Sequence, residues 1–187
     1  MRIPFIIRAP FLRASVGRRS DALAEVIDLY KTLSELSGIS LPTDNSAAVQ
    51  GNSLVGAMIG LQHSSNYSFS QFAKRGRSVA NAFDVCMGCY PTNNQGPTAD
   101  YMGFTVRSSE WRWTEWFEWD GDTGEPKWAA GAAASELYDH RLDQGDDFDA
   151  FENVNLVDDT DSSAVAARDA LRKVLRDQFK SDGRVLA

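Results

Sequence analysis

An alternating pattern of large and polar side chains occupies the middle of the chain. The stretch Tyr101–Trp119 reads YMGFTVRSSEWRWTEWFEW and contains four of the five tryptophans. One run of period two spans Met102–Arg107, a second spans Trp111–Trp119, and the polar residues 108–110 separate them. Two such runs joined by a short polar turn predict an antiparallel β-hairpin.

The two faces of the second predicted strand differ in character. One face collects aromatic side chains, namely Trp111, Trp113, Phe117 and Trp119. An exposed apolar patch of that size favours aggregation unless it binds something, so we expect this face to fill a core. Trp116 lies on the opposite face beside Thr114, and its ring is the candidate for contact with a ligand.

Helices and further strands surround this hairpin. Ser20–Leu36 carries apolar residues at helical spacing with Gly38 at its end, and Ser162–Phe179 shows the same spacing. Short strands are predicted at Ile3–Arg8, Tyr67–Phe72 and Glu136–His140. The order strand, helix, several strands, helix predicts an α+β fold, with a small antiparallel sheet and its Trp-rich hairpin packed on helices.

Charge and hydropathy exclude several classes of partner. The formal net charge of −7 makes binding to a nucleic-acid backbone a poor expectation. No apolar run reaches the roughly 18 residues that a membrane span requires. The N-terminal stretch MRIPFIIRAPFLR lacks the continuous apolar core of a signal peptide, so the sequence assigns no location.

Two cysteines, Cys86 and Cys89, form a CxxC pair. A structural zinc site needs two more ligands, and the two histidines, His63 and His140, are not at finger spacing. A redox pair is expected at a helix start, whereas this pair precedes the turn-rich stretch PTNNQGP. A local disulfide and two free thiols both remain open.

Nine acidic residues lie between Asp139 and Asp161. Their spacing does not match an EF-hand calcium loop, because oxygen ligands are missing at the required steps and no glycine falls at position six. We therefore expect a solvated acidic loop. The sequence also lacks GxSxG, P-loop, GxGxxG and HExxH motifs, and neither histidine has a sequence neighbour that fixes its role.

Seven short blocks carry the strongest functional signal through their order. They read IPFIIRAP, ALAEVIDLYKTLSELSGISLP, GNSL, FSQFAKR, YMGFTVRSSEWRWTEW, ELYDH and ENVNL. In this order they resemble the C-terminal part of the sulfatase family, and most closely its iduronate-2-sulfatase-like branch. That branch typically shows VPFIIRxP, xxLVELVDLYPTLxELAGLxxP, SQYPR, MGYSIRTxxYRYTEW and ELYDHxxDPxExxNLA. The chain departs from this pattern with Lys31 in place of a proline and with DQGDDFDAFE in place of DPxE.

The resemblance implies that the catalytic machinery lies outside this chain. Family sulfatases use a CxPxR cysteine that is converted to formylglycine, and its hydrated aldehyde attacks sulfate beside a calcium ion held by Asp and Asn side chains. The stretch from Cys89 to Asn93 reads CYPTN, with asparagine where the arginine belongs, and we interpret it as a coincidence. We expect no catalytic residue and no cofactor in this chain, an incomplete fold, and a missing N-terminal catalytic domain as its partner, in cis or in trans.

The resemblance also suggests boundaries. Residues 1–60 correspond to the tail of the catalytic domain, 61–160 to the C-terminal subdomain, and 161–187 to a C-terminal helix. The parent family is lysosomal or secreted. The sequon Asn66-Tyr67-Ser68 is consistent with a secretory origin, although such tripeptides are common by chance.

In these sulfatases the C-terminal subdomain lends residues to the rim of the substrate pocket, and the SQYPR block lies near that rim. Its counterpart here is Ser70–Lys74, followed by Arg75. The resemblance thus implies Gln71, Lys74 and Arg75, together with Trp116, as rim residues for a sulfated sugar, and a cation there suits sulfate or carboxylate. A solvated basic turn is an equal alternative. A second function is a stand-alone, non-catalytic module that binds anionic sugars through Trp116, Lys74 and Arg75.

Overall fold

The chain divides into two compact units, Met1–Ser68 (unit 1) and Phe69–Ala187 (unit 2). The structure is a computed structural model, and it describes residues 5–42, 49–61, 65–76, 99–145, 147 and 150–180. Unit 1 contains helices α1 (Asp28–Ser37) and α2 (Val55–Met58) and a short 3₁₀ turn at Arg13–Ser15. Helix α3 (Ser162–Lys180) belongs to unit 2.

Two buried polar residues of α1 organise unit 1. The carboxylate of Asp28 accepts hydrogen bonds from the backbone N–H of Glu25 at 2.8 Å and of Asn52 at 2.7 Å. The hydroxyl of Thr32 donates to the carbonyl of Asp28 at 2.7 Å and accepts from the N–H of Leu54 at 2.9 Å. These bonds satisfy polar groups that burial would otherwise penalise, and they tie α1 to the segment that leads into α2.

The prediction of a helix from Ser20 is wrong at its start and right at its end. α1 begins at Asp28, because the Asp28 side chain binds the N–H groups of Glu25 and of the distant Asn52 and fixes the helix start there. Gly38 follows the helix with φ 70°, the left-handed conformation that ends many helices. The long apolar periodicity therefore overstated the helix by about two turns.

The predicted strand at Ile3–Arg8 is also wrong over its described part. Residues 5–8 form no strand, and the Ile6 side chain is 90% exposed. A strand needs a partner for its backbone groups, and the described part of unit 1 contains none. Several apolar side chains of unit 1 are exposed in the same way, namely Phe11, Val16, Val26, Ile27, Tyr30 and Leu33.

Unit 2 is built on a five-stranded sheet that runs β1-β2-β3-β4, with β5 beside β3. Its strands are β1 (Ser68–Lys74), β2 (Tyr101–Arg107), β3 (Trp111–Asp120), β4 (Glu125–Pro126) and β5 (Ala134–Asp139). β3 is antiparallel to β2, β4 and β5. The predicted hairpin is confirmed as β2–β3, with Thr105 opposite Thr114 in the register.

One face of the sheet packs against α3 and forms the core of unit 2; we call it the inner face. Phe104, Val106, Trp113, Phe117 and Leu137 are buried there, as predicted for the aromatic face of β3. From α3, Leu171, Leu175 and Phe179 are buried, and the Phe179 ring lies 4.8 Å from that of Phe104. The α+β fold class and the Trp-rich hairpin packed on a helix are therefore confirmed.

Glu115 interrupts this apolar face with a fully buried carboxylate. Arg172 donates to it at 3.1 Å, and Arg176 donates through Nε at 2.9 Å and through a terminal nitrogen at 3.0 Å. The guanidinium groups of these two arginines turn towards the sheet and neutralise the buried charge. Within the described residues, no helix is both long and apolar enough to span a bilayer.

Candidate functional site

The sheet face opposite the core is polar and partly accessible; we call it the outer face. The alternation of each strand places there Thr105 and Arg107 of β2, Arg112, Thr114 and Trp116 of β3, and Glu136 and Tyr138 of β5. The hydroxyls of Thr105 and Thr114 lie 2.8 Å apart across the hairpin. Of the residues that the sequence marked for ligand contact, Trp116 lies on this face.

Trp116 is held in one orientation on the outer face. Its indole N–H donates to the Glu136 carboxylate at 2.8 Å. Its ring lies over Gly103, where an added Cβ would come within 2.9 Å of the ring carbons. Phe72 approaches edge-on with 6.5 Å between ring centroids, and Lys74 Nζ lies 5.9 Å from the Trp116 ring. Only glycine at position 103 leaves room for the Trp116 ring on the neighbouring strand.

Of the predicted rim residues, the structure brings Lys74 and Trp116 together. Gln71 is half-buried and lies on the other side of β1 from Phe72 and Lys74, since side chains alternate along a strand. Arg75 is exposed and follows the last residue of β1. Lys74 is 7% exposed, so it packs against the Trp116 ring and is not part of a solvated basic turn.

A line of polar contacts continues from Trp116 along the outer face. The Tyr138 hydroxyl donates to Glu136 at 3.2 Å, and the Arg112 guanidinium lies 5.3 Å from the Tyr138 ring centroid. Burial and the neighbouring Glu136 charge raise the pKa of Tyr138 to about 12. Tyr138 therefore stays neutral and keeps its donor proton across the physiological range.

No role for His140 followed from the sequence, and the structure shows a buried cluster around this residue. The ring is 6% exposed, with Nδ1 2.8 Å from Asp143 and Nε2 2.9 Å from Glu152. Arg112 binds the other oxygen of Glu152 at 2.7 Å, and Phe151 stacks on the imidazole. The three-residue spacing of His140 and Asp143 is the feature of the sequence that could have predicted their contact. Arg107 of β2 contacts Asp143, and Arg112 of β3 contacts Glu152.

The acidic segment does not have the donor set of a calcium site in its described part. Asp139 pairs with Arg141 at 2.6 Å, Asp161 accepts from the Ser163 backbone at 2.9 Å, and Asp143 and Glu152 face His140. These carboxylates are engaged by arginine, backbone and histidine donors. No metal-holding group of three or more His, Cys, Asp or Glu occurs among the described residues. Cys86 and Cys89, the predicted possible disulfide, lie outside them.

The side chains of this surface are suited to contact with a ligand. Trp116 and Phe72 offer aromatic area, and Glu136 and Tyr138 form a satisfied hydrogen-bond network around it. An aromatic ring flanked by polar groups is a common arrangement for a site that is apolar at one end and wet at the other. Among the described residues we find no nucleophile paired with a base.

Comparison with known proteins gives a distant likeness. No family model matches the chain, and no curated protein does. A solved structure from Bacteroides thetaiotaomicron, provisionally described as a sulfatase, is 22% identical with a TM-score of 0.47. A solved 2-O GAG sulfatase is 24% identical with a TM-score of 0.49. Each match covers 86% of this chain but 26% of the other, so the chain spans about a quarter of the length of the structures that it is similar to.

Proposed function

We propose that the chain is the C-terminal part of a sulfatase of the iduronate-2-sulfatase-like branch, a hydrolase of sulfuric esters on sulfated sugars such as glycosaminoglycans. Its role in that enzyme is to shape the rim of the substrate pocket. The nucleophile and the calcium ligands come from an N-terminal catalytic domain, in cis or in trans. The chain alone carries neither and is inactive.

The observation that carries this proposal is the order of the seven sequence blocks. Their positions also agree with the element pattern of the fold. The helix block contains α1, FSQFAKR lies on β1, and YMGFTVRSSEWRWTEW covers β2 and most of β3. ELYDH corresponds to β5, and ENVNL contains Asn155, which binds the free edge of β5.

The proposed rim residues differ in how well their environments suit contact with a ligand. Trp116 is the favoured contact, because its ring is fixed by Glu136 and Gly103 before any ligand arrives. Lys74 acts through its charge beside that ring, whereas Arg75 is exposed and can reach a sulfate or carboxylate bidentately. Gln71 is the weakest candidate, since it lies away from Trp116 on β1.

The first test is the gene itself. The native transcript is sequenced through its 5′ end, and we expect an in-frame segment upstream that encodes a CxPxR motif and metal-binding carboxylates. The encoded enzyme should release sulfate from 2-O-sulfated uronate oligosaccharides, and Trp116→Ala should raise its KM more than it lowers kcat. A transcript without such a segment, and no activity on mixing with a separate catalytic chain, would refute the proposal.

The alternative is a stand-alone module that binds anionic sugars. Its support is the contact of Lys74 with the Trp116 ring, with the exposed Arg75 next to Lys74 in the sequence. It predicts that the 187-residue chain alone binds sulfated oligosaccharides, and that Trp116→Ala and Arg75→Ala each weaken this binding. The acidic net charge works against such binding at low ionic strength. If the full enzyme releases sulfate and the isolated chain does not bind sulfated oligosaccharides, the stand-alone module is excluded.

A further inference from the structure

We propose that Arg172 and Arg176 of α3 form a binding site for an oxyanion, a sulfate or phosphate group, and that the buried carboxylate of Glu115 holds their guanidinium groups in place for it. The three residues meet where α3 packs against the inner face of β3. Trp116 lies on the other face of the sheet, so this site is separate from the proposed rim. The inference does not depend on the proposed function.

Glu115 requires only one of the two arginines. Arg176 binds both carboxylate oxygens, through Nε to Oε2 at 2.9 Å and through a terminal nitrogen to Oε1 at 3.0 Å. This two-pronged arrangement is the strong pairing of arginine with a carboxylate. Arg172 adds a further bond, from Nε to Oε1 at 3.1 Å. Two guanidinium charges therefore face one carboxylate, and the cluster keeps a positive charge that neutralisation of Glu115 does not require.

Most N–H donors of the arginine pair have no acceptor in the protein. Each guanidinium group carries five N–H donors in a planar fork. Glu115 takes one from Arg172 and two from Arg176, and the described part of the chain offers neither arginine another acceptor. The side chains of Arg172 and Arg176 are 51% and 35% exposed, whereas that of Glu115 is 1% exposed. A solute can therefore reach the arginines but not the carboxylate behind them.

Glu115 also fixes the spacing of the two guanidinium groups. Nε of Arg172 and a terminal nitrogen of Arg176 bind the same oxygen at 3.1 and 3.0 Å, so these nitrogens lie no more than about 6 Å apart. One sulfate or phosphate group can accept from both arginines at this separation. The Phe117 ring lies 5.9 Å from the Arg176 guanidinium and supports it. Since the donors are held before a ligand arrives, binding costs less side-chain entropy.

Neighbouring residues of α3 add positive charge on the same side of the helix. Arg168 and Lys180 lie one turn before and one turn after the arginine pair, and residues four apart are neighbours on a helix surface. Two acids of this helix are turned to other cations: Asp169 lies 3.7 Å from Arg168, and Asp177 lies 2.8 Å from Lys173. The surface around the pair is therefore cationic in a chain of net charge −7, which favours an anionic ligand.

The stability of the core does not by itself account for this cluster. Glu115 lies on a face where Trp113 and Phe117 are buried, so an apolar side chain would continue the core there. Replacement of a buried ion pair by apolar side chains of similar volume is often neutral or stabilising. A charged residue that breaks the pattern of its strand is expected where a site requires it. Here the requirement is the fixed orientation of two accessible arginines.

Titration of the arginine side chains with oxyanions tests the site in the full 187-residue chain. The Nε–H protons of Arg172 and Arg176 are bound to Glu115, so their NMR signals should be protected from exchange and can be assigned with Arg172→Lys and Arg176→Lys. Sodium sulfate and sodium phosphate should shift both signals until they saturate. Sodium chloride at equal ionic strength should not, because chloride cannot accept from the two forks through separate oxygens.

Glucose 6-sulfate and glucose 6-phosphate distinguish the two sources of such a group. Tighter binding of these esters than of the inorganic ions would support the site and identify its ligand as an ester. Tighter binding of inorganic sulfate or phosphate would support the site and identify its ligand as the free anion.

Arg172→Ala should weaken sulfate binding about tenfold or more, because a charge-assisted hydrogen bond to the anion is lost. This variant should fold, since Arg176 still binds both oxygens of Glu115. Lys173→Gln removes one positive charge from the exposed side of the same helix and should keep the wild-type affinity. Equal shifts with chloride, no saturation with either oxyanion, or equal weakening by Lys173→Gln and Arg172→Ala would overturn the proposal. If Arg172→Ala does not fold, the titrations of the wild-type chain decide alone.

Discussion

Glu115 is a charged residue in the place of a core residue. It lies on the inner face of β3 among the tryptophans, where its carboxylate is fully buried and paired with Arg172 and Arg176 of α3. The arginines are partly exposed, so either can return to water, whereas Glu115 cannot. The cost of breaking this cluster should therefore depend on which partner is removed.

We predict that Arg172→Ala combined with Arg176→Ala lowers the free energy of unfolding by about 3–5 kcal/mol, because an unpaired carboxylate remains in the core. Glu115→Gln should cost less, about 1–2 kcal/mol, because the amide still offers an acceptor. Urea denaturation measures both. Lys173→Ala, which breaks the exposed pair with Asp177, is the control and should change stability by no more than about 0.5 kcal/mol. A double variant as stable as this control would contradict the assignment.

Gly103 determines where the Trp116 ring lies. An alanine Cβ at this position would lie 2.9 Å from the indole ring, closer than such atoms approach in folded proteins. We predict that Gly103→Ala displaces Trp116 from Glu136 and costs about 1–3 kcal/mol, with a change in tryptophan fluorescence. Gly56→Ala in α2 is the matched control: its Cβ would meet Leu61 at 3.8 Å, and it should be neutral or stabilising. An unshifted indole N–H resonance in Gly103→Ala would refute this account.

At the scale of elements, the edge of β5 that does not pair with β3 is covered in part by one side chain. Asn155 accepts from the N–H of Leu137 at 3.0 Å and donates to the carbonyl of Ser135 at 3.1 Å, as a neighbouring strand would. Leu156 adds a backbone bond to the Leu137 carbonyl. Uncovered strand edges invite pairing with other chains, and this arrangement blocks part of the edge.

We predict that Asn155→Ala destabilises the chain by about 1–2 kcal/mol and increases amide exchange at Leu137, because two strand bonds lose their partner. Asn155→Asp should also weaken the edge, since a carboxylate cannot donate to the Ser135 carbonyl. Val154→Ala, at a side chain that is 69% exposed, should stay within about 0.5 kcal/mol of wild type. Equal exchange at Leu137 in Asn155→Ala and wild type would contradict this role.

The elements that the sequence predicted well are those whose cause is local. The alternation of β2–β3 and the apolar stripe of α3 are visible in short windows, and both are present close to the expected bounds. The start of α1 depends on a bond from the Asn52 N–H, 24 residues along the chain, and the Ile3–Arg8 stretch lacks a partner strand in the described part of unit 1. Such non-local causes leave no periodic signal.

The same distinction applies to the candidate site. Trp116 was identified because its position in the alternation is a local property. The burial of Lys74 against the Trp116 ring depends on the pairing of strands that are far apart in sequence, so its environment was not predictable. The His140 cluster likewise joins residues from both sides of an acidic segment, and composition alone indicated only a solvated loop there.

At the scale of the whole molecule, the two units differ in the burial of their apolar side chains. Unit 2 buries the aromatic residues of its inner face between the sheet and α3, whereas unit 1 leaves Tyr30 and Leu33 of α1, and Val26 just before the start of α1, exposed. These three residues recur at the spacing of a helical stripe. An apolar stripe on a helix of a folded protein is normally covered, and exposed patches of this kind mark interaction sites or aggregation hazards.

We predict that the isolated 187-residue chain self-associates and binds an apolar dye through this stripe. Light scattering after size exclusion should show a concentration-dependent mass, because burying the stripe between copies removes apolar area from water. Replacing Val26 and Leu33 with lysine should reduce both signals without loss of fold, since the two side chains are 69% and 59% exposed. Phe72→Lys, which changes a 43% exposed ring on β1, controls for a general effect of charge. If the chain is monomeric at all concentrations, or if Phe72→Lys has the same effect as the α1 variant, the stripe is not the surface through which copies associate.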